Sequence, residues 1–306
     1  MRTELHRHLD ASVRASTLAE LAGFASEDEV RRNFWLTQQM GSLKEVLDRF
    51  VVFQKMLKTP EILERVALEA VEDAAREGIE WLELRYSPSF TSEFSGISWD
   101  AALAAFKRGL AEGGRRTGLK TGLICIVSRD YGEKSAHETI DFAVAHKDSF
   151  IGVDLAGNES EFPCRMFTSA FQKAVRASLP VTVHAGESAG PENVWDAIDL
   201  LGARRIGHGI TSIADAELIR RLRRDGILLE TCPTSNYITR SIPDWKDHPL
   251  PRLLEAGVPV SVSTDDPGIF GNTLDDEYSR CKDFLGMSAA DLVKIDEHAR
   301  SHSFLK

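Results

Sequence analysis

Residues Pro180-Val181-Thr182-Val183-His184-Ala185-Gly186-Glu187 decide how this chain reads. The run up to Val183 is rich in β-branched residues, as a strand buried on both faces is, and it ends in an imidazole. A small-residue turn, Ala185-Gly186, then aims the Glu187 carboxyl group at the same place. Two further segments repeat the plan: Arg205-Ile206-Gly207-His208-Gly209 closes on a histidine, and Val260-Ser261-Val262-Ser263-Thr264-Asp265-Asp266-Pro267 closes on paired aspartates. Polar groups set where several apolar runs stop describe parallel strands converging on one mouth.

Working outward from that stretch, the remaining strands fall at regular intervals. Thr3 to Asp10 alternates polar and apolar groups, Ile79 to Tyr86 does the same before Ser87-Pro88 stops it, and Lys120 to Val127 and Phe150 to Leu155 are largely apolar. Leu179 to His184, Arg204 to His208, Gly226 to Cys232 and Gly257 to Ser263 complete eight. Helical covers separate them, around Trp99 to Thr117, Ala136 to His146, Ala170 to Ala177, Val194 to Leu201, Asp215 to Asp225 and Leu250 to Ala256. The fold expected is therefore a (β/α)8 TIM-type barrel with a helical insertion between strands one and two, spanning residues 1–306 as one domain. Within the insertion, Ser42 and Thr59-Pro60 read as helix starts, and Phe34, Trp35, Phe50 and Phe53 as core. The segment roofs the mouth. A doubly wound sheet would want a glycine-rich phosphate turn after strand one, and His8-Leu9-Asp10-Ala11 supplies none.

With 306 residues, 42% hydrophobic and 27% charged, the chain can bury a large core. A net charge of -10 argues against a nucleic-acid partner or an anionic membrane surface, which need a concentrated basic face. No apolar run approaches the roughly 20 residues that cross a bilayer, and Met1 to His6 carries no hydrophobic signal region, so a cytoplasmic protein is expected. Whether it forms a homo-oligomer is left open. Cys125, Cys164, Cys232 and Cys281 have no CxxC spacing, which disfavours a disulfide framework or a thiolate zinc site.

On a strand, residues two apart face the same side, so His6 and His8 can share one ligand. With His184, His208 and Asp265 also at strand ends, the set offers imidazoles and a carboxylate suited to a borderline cation such as Zn2+. Water on such an ion can have a pKa near 7 and attack an electrophilic carbon. A buried, protonated Glu187 would then donate a proton, and either His208 or Asp265 would hold and deprotonate the water. Neighbouring aspartates project to different sides, so Asp265 faces the metal and Asp266 the ligand.

These motifs, in order His6-Arg7-His8-Leu9-Asp10, Leu84-Arg85-Tyr86-Ser87-Pro88, Asp154-Leu155-Ala156-Gly157-Asn158-Glu159, His184-Ala185-Gly186-Glu187, His208-Gly209, Cys232-Pro233-Thr234-Ser235-Asn236 and Ser263 to Pro267, resemble the adenosine deaminases of the amidohydrolase superfamily over nearly the whole chain. The resemblance implies a zinc-dependent hydrolysis of a purine nucleoside, adenosine to inosine and ammonia. It implies one Zn2+ held by His6, His8, His184 and Asp265, Glu187 as proton donor to purine N1, and His208 orienting the hydroxide. It further implies the Gly157 N–H on N3, Asp266 on N7 and Asp10 on the ribose, where relatives acting on the free base tend to carry glutamate. One departure stands out: the family usually has glycine after that aspartate, and this chain has Ala11, which raises a 5′-modified nucleoside as an alternative substrate.

Other residues read more plainly. The absence of lysine in Asp154-Leu155-Ala156-Gly157 favours one metal over a lysine-bridged pair. A nucleoside-binding protein without turnover would show damage at Glu187, His208 or Asp265, and all three are intact. His137, His146 and His248 read as surface residues, and His298 and His302 as a solvated helix face. Ser235 and Asn236 fit a turn and a support for the site equally well.

Overall fold

The computed structural model describes residues 2–41 and 43–306. The apolar runs form eight strands: β1 (Arg2–His8), β2 (Ile79–Tyr86), β3 (Lys120–Ser128), β4 (Gly152–Ala156), β5 (Thr182–Ala185), β6 (Arg205–His208), β7 (Leu228–Thr231) and β8 (Val260–Val262). Each pairs parallel with its sequence neighbour, in two runs, β1 to β4 and β5 to β8. Both seams are closed. Val153 N–H donates to Pro180 O at 2.9 Å between β4 and the approach to β5, and at the other seam His8 N–H donates to Asp265 O at 2.8 Å and Asp265 N–H to His6 O at 3.1 Å. The result is the expected barrel, with side chains filling its interior.

Strands five, seven and eight are shorter than their apolar runs. Leu179, Val181, Ile227 and Val258 are buried, but lie ahead of the paired stretch. An apolar pattern reports burial, whereas a ladder exists only where neighbours run alongside. In β1 the register passes from Glu4 opposite Leu82 to Arg7 opposite Leu84, one extra residue in β1. Such a bulge re-aims side chains, and it stands directly below His6 and His8.

Helices Ala15–Ala22, Glu27–Asn33, Leu43–Gln54 and Pro60–Arg76 form the insertion. Thr59 caps the last of them, accepting from Ile62 N, with Pro60 in the first turn where a missing N–H costs nothing. Ser42, the other expected helix start, lies outside the described residues. Phe34 and Phe53 are core, as expected, and Trp35 packs against it, but Phe50 is only half-buried and faces the mouth. Three short helices follow strand ends, Pro88–Ser95, Pro233–Ile238 and Pro267–Phe270. A proline opens each of these helices, because its fixed φ suits the first helical position, after one intervening residue for Pro88 and Pro233 and after residues 263–266 for Pro267.

The last helix, Ala289–His302, crosses the other end of the barrel. Its His298 and His302 were expected on a solvated face and are instead half-buried: Val260 N–H donates to His298 Nδ1 at 3.3 Å, and His302 Nε2 lies 3.1 Å from Gly226 O. Their i, i+4 spacing does put them on one face, but that face meets the starts of β7 and β8. Among the described residues, no helix is long and apolar enough to cross a membrane.

Candidate active site

At the C-terminal mouth the strand ends bring His6, His8, His184 and Asp265 together, each offering a ligand atom within 4.8 Å of the others. His6 Nε2 and His8 Nε2 stand 3.2 and 3.3 Å from Asp265 Oδ1, and His8 Nε2 stands 3.3 Å from His184 Nε2. Backbone conformation contributes. His208 and Asp265 have φ of 59° and 63°, a left-handed region that non-glycine residues seldom occupy and that concentrates at functional sites. Gly207 leaves room: a Cβ there would lie 2.9 Å from His6 Cε1 and 3.2 Å from His184 Cα.

The hydrogens decide whether this cluster suits a cation. His6 Nδ1 lies 2.8 Å from Glu230 Oε2, and His184 Nδ1 lies 3.0 Å from Asp154 Oδ2. A carboxylate only accepts, so both Nδ1 atoms carry hydrogen and both Nε2 atoms face inward. Burial pushes His8 down to about 4 and lowers His184 as well, so these two rings favour the neutral, lone-pair form, whereas His6 is raised: burial opposes a proton there, but contact with Asp265 and Glu230 prevails. Asp265 is held well below the usual carboxylate range: burial opposes its ionisation, but contact with His6 and His8 prevails. His6 Nε2 is buried with no hydrogen-bond partner. A carboxylate among three imidazole nitrogens needs a positive charge beside it, carried either by a proton on His6 or by a cation in its place, and three imidazoles with one carboxylate oxygen match the donor preference of Zn2+. A second grouping, His208, Cys232 and Asp265, is less suited, since burial and then Asp265 keep the Cys232 thiol protonated.

Under the cluster runs a charged layer that the sequence reading assigned no role. Arg85 Nη1 pairs with Asp154 at 2.8 Å and its Nη2 with Glu230 at 2.8 Å; Arg205 Nε meets Glu230 Oε1 at 2.7 Å and its Nη2 meets Glu83 at 2.6 Å. All five side chains are buried, so each charge depends on the others. The signal was a charge inside an apolar strand, as in Ile227-Leu228-Leu229-Glu230, which a strand buried on both faces tolerates only when paired.

Glu187 and His208 stand beside the cluster. His208 Nε2 lies 3.6 Å from Glu187 Oε2 and 3.8 Å from Asp265 Oδ2, and Thr239 Oγ1 donates to Glu187 Oε1 at 3.3 Å. Burial, then the charges of Asp265 and Glu159, push Glu187 well above the usual carboxylate range, which favours its protonated form. The turn that presents it is gripped from below. Glu159 accepts from the N–H groups of Gly186 at 2.9 Å, Glu187 at 2.7 Å, Ser188 at 2.5 Å and Ala189 at 2.9 Å.

A cavity of about 580 Å³ opens above the cluster. Among the described residues its floor includes His8, Asp10, His184, Glu187, Asp265 and Asp266, and its roof Val46, Leu47, Phe50 and Val51 of helix Leu43–Gln54. The insertion does cover the mouth. Gly157 lines the wall at φ +110°, where a Cβ would come 2.1 Å from Asp130 Oδ2, so only glycine fits. Asp10 is pushed up to about 7 by burial, and Asp266 is held well above the usual carboxylate range by burial and then by Asp265 and Asp10; one oxygen of each is buried without a partner. Ala11 is fully buried within the core, outside this lining.

One residue read from sequence needs revision, and one open alternative is decided. His248, expected at the surface, is 3% exposed and bonds Asn236, and Asn236 in turn bonds His208 Nδ1 at 3.1 Å. Asn236 is thus a support for the site rather than a turn-former alone. His137 is exposed, as expected, and His146 half-buried.

A ring of imidazoles and carboxylates that could hold a metal ion, at the C-terminal mouth of a parallel eight-stranded barrel and with a further buried acid alongside, is the layout of a barrel hydrolase. The family model described as Adenosine deaminase matches residues 2–306. An adenosine deaminase from Erwinia tasmaniensis is 36% identical over 310 residues, covering 99% of this chain and 93% of that one. Among solved structures, an adenine deaminase from Arthrobacter aurescens superposes with a TM-score of 0.91 at 28% identity, covering 100% of this chain and 94% of that one. An amidohydrolase from Burkholderia ambifaria with bound Zn superposes with a TM-score of 0.90 at 27% identity, covering 100% and 86%. The chain belongs to the adenosine deaminase family, and it is an aminohydrolase.

Proposed function

We propose that this protein hydrolyses adenosine, and 2′-deoxyadenosine, to the corresponding inosine and ammonia, using one zinc ion per chain held by His6, His8, His184 and Asp265. The observation that carries the reading is the convergence of His6, His8, His184 and Asp265 with the buried Glu187 carboxyl group beside them, 3.6 Å from His208 Nε2. A zinc ion in this set supplies a water acidic enough to serve as a nucleophile at neutral pH. Glu187 delivers its proton to purine N1 as the ring carbon is attacked, which keeps charge from building on the ring. His208, whose Nε2 lies 3.8 Å from Asp265 Oδ2, would orient the attacking water together with that carboxylate. Asp266, protonated by its surroundings, donates to N7, the Gly157 N–H binds N3, and Asp10 holds the ribose.

Two features support a nucleoside over its neighbours in chemistry. An aspartate at position 10 leaves more room than glutamate for a sugar, and the Ala11 methyl group points into the core, away from the cavity lining. Among the described residues the lining includes Asp10, Asp130, Glu161 and Asp266 but no lysine or arginine, which disfavours a 5′-phosphate. Purified, zinc-loaded protein should convert adenosine to inosine, followed by the fall in ultraviolet absorbance and by chromatography. Adenine or a 5′-modified adenosine turned over with a kcat/KM above that of adenosine would replace this substrate, and binding of adenosine without conversion would overturn the reaction.

A further inference from the structure

We infer that Leu250, His248 and Asn236 form a relay that fixes His208 as the tautomer with hydrogen on Nε2, making it a hydrogen-bond donor to the attacking water and not its base. The catalytic consequence rests on the reaction proposed above; the relay itself rests on geometry alone.

The argument starts from a donor whose identity is beyond choice. Leu250 opens helix Leu250–Glu255, so its N–H has no acceptor within the helix. It points at His248 Nδ1, 3.1 Å away, and that nitrogen must therefore be a lone pair. His248 is buried and neutral, so its single hydrogen sits on Nε2. That nitrogen lies 3.2 Å from Asn236 Oδ1 and donates to it. The amide of Asn236 is thereby oriented, with its Nδ2 group donating to His208 Nδ1 at 3.1 Å. His208 Nδ1 is then a lone pair in use, and the neutral ring carries its hydrogen on Nε2, which faces Glu187 and Asp265.

Each link transmits one bit of direction. Reversing any of them would set two hydrogens or two lone pairs face to face in a buried place, where a mismatched polar pair is costly. A ring with hydrogen on Nε2 has no lone pair there to accept a proton from water. The alternatives left open by the sequence therefore divide: His208 donates and orients, and the water's proton is left to Asp265. Asn236 and His248 are positioning residues acting through His208.

Long-range 1H–15N correlation spectra of zinc-loaded, 15N-histidine-labelled protein, without substrate, test the relay. The expected result is bare Nδ1 and protonated Nε2 on both His208 and His248. Asn236→Asp places an acceptor opposite His208 Nδ1 and should move the hydrogen there, lowering kcat by between about 10²- and 10⁴-fold with little change in KM. His248→Gln still donates from an amide nitrogen and should lose less than His248→Met, which donates nothing. A native His208 protonated at Nδ1, an Asn236→Asp protein with the tautomer unchanged, or equal losses in the two His248 variants would overturn the relay. Absence of purine turnover by the native protein, with the Nε2–H tautomer observed, would sink the functional reading and leave the relay standing.

Discussion

The Glu187 N–H donates to Glu159 Oε1 at 2.7 Å, one of four backbone bonds with which a single buried carboxylate holds the turn after β5. Glu159 also helps keep Glu187 protonated, since its charge raises the neighbouring acid, behind burial and Asp265. Glu159→Gln removes both effects. Bonds to a charged acceptor exceed neutral ones by about 1 kcal/mol, and the new amide NH2 meets an N–H head-on, so a stability loss of roughly 1–3 kcal/mol is expected in urea unfolding. The pH profile carries the sharper sign. With Glu187 less strongly raised, it loses its proton at lower pH, so the alkaline limb of kcat should move toward acid; an unmoved limb would remove Glu159 from the chemistry.

Glu187→Gln keeps the shape of the acid and removes the proton it gives. The variant should retain zinc, read by metal analysis, because Glu187 is outside the four-residue ligand set. Turnover should fall by about 10²- to 10⁴-fold or more, the range over which a positioned proton donor acts. A rate near that of the native protein would leave the proton to come from elsewhere.

Strand ends were the legible part of this site. His184, His208 and Asp265 each close an apolar run, His6 and His8 end an alternating one, and topology then brings them to one mouth. What sequence could not reach are the partners that lie far apart along the chain and touch no substrate. Glu230 meets His6, and Glu159 grips residues 186–189, through registers that only the closed barrel sets. His248 misled for a related reason: a charged Asp247 and a turn-forming Pro249 beside it suggest surface, but the loop folds it under Asn236. Phe50 serves both readings, since it packs against the core and also lines the cavity, and an aromatic residue on an amphipathic helix looks the same in sequence in either place.

The charged layer makes its own prediction. Asp154 fixes His184 through Nδ1 and leaves its Nε2 lone pair facing the cluster. Asp154→Asn can turn its NH2 group toward the ring, which favours the other tautomer and blocks that lone pair. Partners of this kind are worth about 10- to 100-fold in metal affinity. Competition with a chromogenic chelator should show zinc bound that much more weakly, while Arg85 retains Glu230 and the fold persists. Unchanged affinity would mean that His184 is not oriented through Asp154.

His248 offers a test in stability rather than rate. Burial pushes it down to about 3 from the ordinary histidine value of 6.5, so the unfolded chain takes up this proton first as pH falls. Its neutral, buried form therefore contributes stability that is fully present above pH 6.5 and is lost progressively as pH falls toward 3. The slope is roughly 1.4 kcal/mol per pH unit within that window. Urea unfolding of native protein and His248→Gln at pH 7.5 and 5.5 isolates the term, because the other titrating groups are common to both. The gap between the two proteins should close by roughly 1.4 kcal/mol on going to the lower pH. Parallel curves would mean that His248 takes up its proton at the same pH folded and unfolded, and so is not held neutral by the Leu250 N–H on one side and Asn236 on the other.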